Sequence, residues 1–186
     1  MDQIIAIDPD IEKNGVCVIV HNRVEMFLFN FSTLVFVFFK NIRAQMDANP
    51  GLKTHLFVEA GYLNKVYFNP NNSNTFIVSK INRNIGENHA SSKLIIESAD
   101  YYGLNPTPVL PVRSTNYRTR GKKITHPQFL KMLERNSLFT DAVQTNQEVR
   151  DAALLAVTYG INKEHQNKPL PEDNKPVQQF LSETKE

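Results

Sequence analysis

Short apolar runs separated by polar turn signals open the sequence and predict an antiparallel β-sheet. Asp8-Pro9 ends the first run, which has no polar position and is therefore typical of a strand buried on both faces. Asn14-Gly15 is a hairpin-type turn signal, and His21-Asn22 is a second one. The three predicted strands are Ile4 to Ile7, Val16 to Val20 and Val24 to Phe29.

Helical spacing alternates with apolar runs along the rest of the chain. Thr75 to Tyr102 has helical spacing, and we expect Gly86 to divide it into two segments. The resulting order β-β-β-α-β-α-β-α-α predicts an α/β protein in which helices flank a mixed sheet. The other predicted elements are helices at Thr33 to Met46, His126 to Asn136 and Asn146 to Gly160, and strands at His55 to Val58 and Thr107 to Val112.

Length and composition predict one domain with a polar tail. The 186 residues suit a single globular domain at 1–161, and the Lys, Glu, Asn, Pro and Gln of 162–186 predict a flexible tail. The single cysteine, Cys17, lies among apolar strand residues, which excludes a disulfide scaffold and favours a reducing, cytoplasmic location. We expect no membrane span, because Phe27 to Phe39 is shorter than the roughly 20 apolar residues required. Asp2 argues against a signal peptide.

Charge is distributed unevenly along the chain. The net charge is only +2, yet the 33 residues from Tyr101 to Leu133 contain six Lys or Arg and no acid, so the remainder carries −4. A second acid-free stretch runs from Ala60 to Gly86. These cations could simply solvate a loop, but an aromatic ring among guanidinium groups favours nucleic-acid binding. The candidate nucleic-acid contacts in the two stretches are Lys65, Arg113, Tyr117, Arg118, Arg120, Lys122 and Lys123.

Four carboxylates stand where predicted elements begin or end. Asp8 follows the first strand, Glu59 follows the fourth, and Glu148 and Asp151 share one face of the last helix at i and i+3. Strand ends of an open α/β sheet meet at a common crevice. Three of these acids also have a structural explanation: Asp8 as a turn residue, Glu148 in a capping box with Thr145, and Asp151 as a first-turn charge that suits the helix dipole.

Gathered carboxylates repel one another unless a cation neutralises them. Oxygen ligands of this kind suit Mg²⁺ or Mn²⁺, and the scattered histidines and lone cysteine argue against zinc. Two such ions can activate water and stabilise the leaving oxygen in phosphodiester hydrolysis. Acids for metal ions together with a basic surface for phosphates predict a nuclease.

Four segments in register resemble the RuvC-type Holliday-junction resolvases, a branch of the RNase H-like superfamily. The opening motif is similar to Ile5-Ala6-Ile7-Asp8-Pro9 with Gly15 following. The family's second motif, a strand-ending Glu with an aromatic residue three positions later, resembles Phe57 to Tyr62 of this chain. The family's final motif resembles Glu148 to Ala156. The strand, basic loop and helix between them resemble Pro108 to Leu133, so the likeness covers about residues 3 to 160.

The resemblance implies an RNase H-like mixed five-stranded sheet flanked by helices and a homodimer that cuts four-way DNA junctions. It implies two Mg²⁺ ions per active site, for which Mn²⁺ can substitute. Tyr62 would stack on an unpaired base, and Arg113 and Lys122 or Lys123 would take the places of functional lysines. Asp10 departs from the family pattern by adding an acid beside the site. The implied catalytic metal ligands are Asp8, Glu59, Glu148 and Asp151.

Three other functions stay open on the sequence alone. A nuclease that processes structured RNA shares a similar first motif, and a catalytically silent module could keep the fold for branched-DNA recognition. An actin-like ATPase also has an Asp-ended first strand, but the chain has only seven glycines and no Gly-rich phosphate loops.

Overall fold

The computed structural model describes residues 2–64, 75–112 and 123–162, with the side chains of 75–77 left aside. Its five strands form one mixed sheet in the order β3-β2-β1-β4-β5. The pairs β1–β2 and β2–β3 are antiparallel, whereas β1–β4 and β4–β5 are parallel. The strands are β1 (Asp2–Asp8), β2 (Asn14–Val20), β3 (Arg23–Phe29), β4 (Lys53–Glu59) and β5 (Thr107–Val109).

Helices cover both faces of this sheet. A short α1 (Phe31–Thr33) continues through a π-helical segment (Leu34–Phe39) into α2 (Lys40–Ala48). The long α3 (Thr75–Tyr101) follows β4, and α5 (Gln147–Leu155) runs on into a π-helical segment (Ala156–Ile161). The remaining helices are α4 (His126–Arg135) and a 3-10 turn (Gly61–Leu63). The predicted mixed five-stranded sheet flanked by helices is confirmed.

Strand β1 lies at the centre of the sheet, and its side chains alternate between two cores. Ala6 packs with Cys17 and with the α4 and α5 residues on one face, and Ile5 and Ile7 pack with the α2 and α3 residues on the other. All three β1 residues are fully buried, which explains the continuous apolar run. The two-sided packing fixes the position of Asp8, the last residue of the strand.

Three predictions about secondary structure were wrong. Gly86 does not divide α3, which is continuous because an exposed helical position tolerates glycine at a cost of only about 1 kcal/mol. Asn14-Gly15 are strand residues paired with β1 and β3, so the turn between β1 and β2 lies before them. The predicted strand at 107–112 ends at Val109.

The predicted turn at His21-Asn22 is confirmed, since both residues have positive φ. Cys17, which lies among apolar strand residues, is fully buried. In the part of the chain that the structure describes, no helix combines the length and apolar character that crossing a membrane requires. A flexible tail was predicted at 162–186, and residues 163–186 lie outside the described residues.

Candidate active site

Two of the predicted acids end neighbouring parallel strands. Ile7 of β1 pairs with Val58 of β4, so Asp8 and Glu59 leave the sheet side by side. Pro9 follows Asp8 directly and is buried, which ends the strand at that point. The sequence prediction that both carboxylates emerge at one edge of the sheet agrees with this register.

The other two acids reach the same edge because α5 lies against β2. A Cβ atom on Gly15 would stand 2.2 Å from the backbone oxygen of Glu148, so only glycine permits this close approach. Gly15 pairs with Asp8 across the sheet. One glycine therefore brings the start of α5 next to the end of β1.

The capping explanation for Glu148 was wrong. Asn146 is the N-cap residue of α5, and its side-chain oxygen accepts a hydrogen bond from the Val149 backbone N–H at 3.1 Å. Glu148 lies in the first helical turn, where a negative charge interacts favourably with the helix dipole. Its side chain also lines the cleft described next, so capping does not account for it.

A cleft of about 490 Å³ opens at this edge of the sheet. One wall is acidic, and the other is formed by α3 and the 3-10 turn, including Gly61, Asn88, His89 and Ser92. Lys123 also lines the cleft. Its acidic side chains are Asp8, Asp10, Glu59, Glu148 and Asp151.

Burial and electrostatic repulsion inside the cleft act together on Asp8. Burial raises the pKa of Asp8 well above its ordinary value, and the negative charges of Glu59, Asp151 and Asp10 raise it further. The positive charge of Lys123 lowers that pKa and only partly offsets the others. An arrangement of this kind favours a bound cation, which would stabilise the ionised carboxylates.

Asp151 is the most enclosed of the four predicted ligands, and Gln147 and Lys123 are among the side chains that contact it. Gln147 Nε2 donates to Asp151 Oδ1 at 2.9 Å. Lys123 Nζ lies 3.7 Å from Oδ2 and remains mostly exposed. Asp151 is only 8% exposed, and these contacts help to orient its carboxylate.

The oxygen-only character of the acidic wall fits a hard divalent cation such as Mg²⁺. Among the residues that the structure describes, however, no three His, Cys, Asp or Glu side chains stand close enough together to form a finished metal site. The acids thus share one cleft without being gathered to coordination distance.

Tyr62 lies beside the cleft in the 3-10 turn that follows β4. Its ring meets His89 edge to face, with centroids 6.2 Å apart, and Lys93 Nζ lies 5.3 Å from the ring centroid. Burial and the charge of Glu97 raise the pKa of the Tyr62 hydroxyl. The aromatic side chain is therefore held by α3 beside the cleft.

Of the predicted nucleic-acid contacts, only Tyr62 and Lys123 fall within the described residues, and both lie at or beside the cleft. Lys65, Arg113, Tyr117, Arg118, Arg120 and Lys122 lie outside the described residues.

Three polar residues around the site were not among those predicted from the sequence. His89 lies 27 positions after Tyr62, so no local pattern indicates their contact. Gln147 could have been found, because it precedes Asp151 by four residues on one helix face. Arg150 precedes Asp151 directly, but its bond to the Ile124 backbone joins residues 26 positions apart, which no local pattern indicates.

Comparisons with solved structures support the fold. The chain resembles Thermus thermophilus RuvC in complex with a Holliday junction substrate with a TM-score of 0.51 and 11% sequence identity, covering 88% of this chain and 96% of that one. A second Thermus thermophilus RuvC structure covers the same shares with 12% identity and a TM-score of 0.49. No protein-family model and no curated protein matches the sequence. At this identity the first likeness establishes an RNase H-like fold and nothing finer.

Proposed function

We propose that this protein is a metal-dependent endonuclease that cleaves four-way DNA junctions, a crossover-junction endodeoxyribonuclease. The observation that carries the proposal is the meeting of Asp8, Glu59, Glu148 and Asp151 in one cleft of an RNase H-like fold. These acids come from two strand ends and one helix start, and capping does not explain them. The raised pKa of Asp8 supports a role in binding a cation.

The four carboxylates would hold two Mg²⁺ ions, or Mn²⁺ in their place. When bound, the ions would supply an activated water and neutralise the charge on the leaving oxygen. Lys123 and the other predicted cations would bind backbone phosphates, since Lys and Arg supply most of the affinity for nucleic acids. Tyr62 would stack on a base at the junction centre, where pairing is interrupted.

The proposed substrate determines the proposed assembly. A four-way junction presents two equivalent strands for cleavage, and a homodimer with two-fold symmetry matches that arrangement. The solved neighbour with a TM-score of 0.51 is itself described in complex with a Holliday junction substrate. That description supports a branched DNA as the first substrate to test.

A cleavage assay on matched substrates tests the proposal. Wild-type protein should nick a four-way junction in the presence of Mg²⁺, and EDTA should abolish the nicks. A linear duplex and a structured RNA of the same sequence serve as controls for substrate class. Preferential cleavage of the RNA would contradict the DNA assignment and favour an RNA-processing nuclease.

A catalytically silent junction-binding module is the second candidate. The observation in its favour is that the acids of the described residues are not gathered at coordination distance. Such a module would bind the junction without requiring Mg²⁺ and would not cut it. Titration of the wild type with Mg²⁺ separates the two candidates, because only the nuclease is expected to bind the ion at the cleft.

A further inference from the structure

We infer that Arg150 and Gln147 are positioning residues that set the orientation of the Asp151 carboxylate. The inference rests on the proposed function, because it assigns these residues to the metal-binding acid. It starts from a continuous set of hydrogen bonds that links two loops to one oxygen of Asp151. Neither residue was among the sequence-predicted ligands or nucleic-acid contacts.

Arg150 uses all three guanidinium nitrogens. Its Nε donates to the backbone oxygen of Ile124 at 3.0 Å, and Nη2 donates to Gln147 Oε1 at 3.1 Å. Its Nη1 donates to both the backbone oxygen and the hydroxyl of Thr145. Thr145 Oγ1 also lies 3.0 Å from His126 Nδ1, which anchors this end of the network to α4.

These contacts determine which way the Gln147 amide faces. Arginine only donates hydrogen bonds, so the Gln147 oxygen must face Arg150. The amide nitrogen is then turned to Asp151, where it donates to Oδ1 at 2.9 Å. An ionised carboxylate only accepts hydrogen bonds, so the contacts of both the amide oxygen and the amide nitrogen require the same orientation of Gln147.

The orientation of Gln147 directs the other carboxylate oxygen of Asp151. With Oδ1 held by Gln147, Oδ2 faces Lys123 at 3.7 Å. Arg150 also fixes the backbone of Ile124, the residue after Lys123. One guanidinium thus positions the acid and the lysine of the cleft relative to each other.

Geometry and charge can be separated at Arg150. Lysine keeps the positive charge but is a point donor that cannot reproduce the planar fork. If Arg150 served only as a counter-charge for the acids, Arg150→Lys would be silent. If it orients Gln147, Arg150→Lys should weaken the metal site.

The test measures Mg²⁺ affinity of the full chain by titration calorimetry. We expect Gln147→Leu and Arg150→Lys each to weaken Mg²⁺ binding by about 10–100-fold, the usual effect of losing a residue that orients a metal ligand. The double variant should lose little more Mg²⁺ affinity than the weaker-binding single variant, because both changes break the same chain of hydrogen bonds to Asp151. Arg43→Lys is the control, since that arginine pairs with Asp47 on the exposed surface of α2.

Thermal melting in EDTA confirms that each variant is folded. Should Arg150→Lys fail to fold, Gln147→Leu decides the test, because it leaves the bonds from Arg150 to Ile124 and Thr145 in place. Unchanged affinity in both single variants, beside a wild type that binds Mg²⁺, overturns the inference alone. A wild type that binds no Mg²⁺ overturns the proposed function and the inference together.

Discussion

Gly15 controls the distance between α5 and the sheet, and Gly15→Ala tests whether that distance matters. The new Cβ would stand 2.2 Å from the Glu148 backbone oxygen and 2.4 Å from its carbon, so the start of α5 must retreat by about 1.2 Å to reach ordinary contact at 3.4 Å. The obstacle is backbone, which cannot relieve the contact by changing rotamer as a side chain can. The retreat moves Glu148, and Asp151 with it, away from Asp8.

The expected effect on activity is larger than the effect on stability. Overpacking costs about 1–3 kcal/mol, and replacing glycine in a strand returns about 0.5–1 kcal/mol, so we expect a net loss of about 0–2.5 kcal/mol. A displacement of about 1 Å in a catalytic group can cost ~10²-fold in rate. We therefore expect junction cleavage to fall about 100-fold in a protein that still folds.

Two glycine controls separate strain from geometry. Gly160→Ala also overpacks, against Ile4 Cγ2 at 2.5 Å, but in the first half of β1, about 13 Å along the strand from Asp8. Gly86→Ala meets nothing within 4 Å and should stabilise α3 by about 0.5–1 kcal/mol. Both should cleave like the wild type. Cleavage by Gly15→Ala at the wild-type rate would refute the reasoning, as would an equal loss in Gly160→Ala.

Three further predictions concern single side chains. Asp8→Asn should lower cleavage by at least about 10³-fold. The pKa of Asp8 is raised in the folded state, so ionising this carboxyl destabilises the metal-free wild type. Its melting temperature should therefore fall relative to that of this variant as the pH rises from about 4. A difference in melting temperature that stays constant between pH 3 and pH 7 would contradict the assigned repulsion. Tyr62→Ala should remove ~1–3 kcal/mol of stacking energy from the junction complex, which lowers junction cleavage and leaves binding to linear DNA unchanged. The side chain of Tyr101 is exposed, and Tyr101→Ala should change neither cleavage nor binding. Asn146→Ala should lower the free energy of unfolding by about 1 kcal/mol in urea titration, and no loss would show that the α5 cap contributes little.

Sequence patterns predicted the parts of the fold that depend on local periodicity. The apolar run before Asp8 and the turn at His21-Asn22 predicted strands that the structure contains. The α3 helix shows where such patterns fail, because Gly86 is a weak local signal and the helix continues through it to the buried Ile95 and Ala99. The free-energy difference between residues in helix propensity is small compared with the stabilisation that a long helix gains by burying apolar side chains in tertiary contacts.

The candidate site divides in the same way. Asp8 and Glu59 were predictable because a strand end is a local feature, and parallel pairing then places the two acids together. The capping explanation for Glu148 failed because Asn146 competes for the same helix end. Nothing in the local sequence distinguishes the two capping residues.

By itself, the sequence determined the α/β class, the strand ends that carry carboxylates and the acid-free segments that carry cations, since each depends on neighbours along the chain. Only the tertiary structure decided that Gly15 lies beneath the Glu148 backbone and that Arg150 binds the backbone of Ile124. Close approach and hydrogen-bond direction depend on atoms that are distant in sequence. Spacing can nominate a carboxylate, whereas packing fixes where its oxygens point.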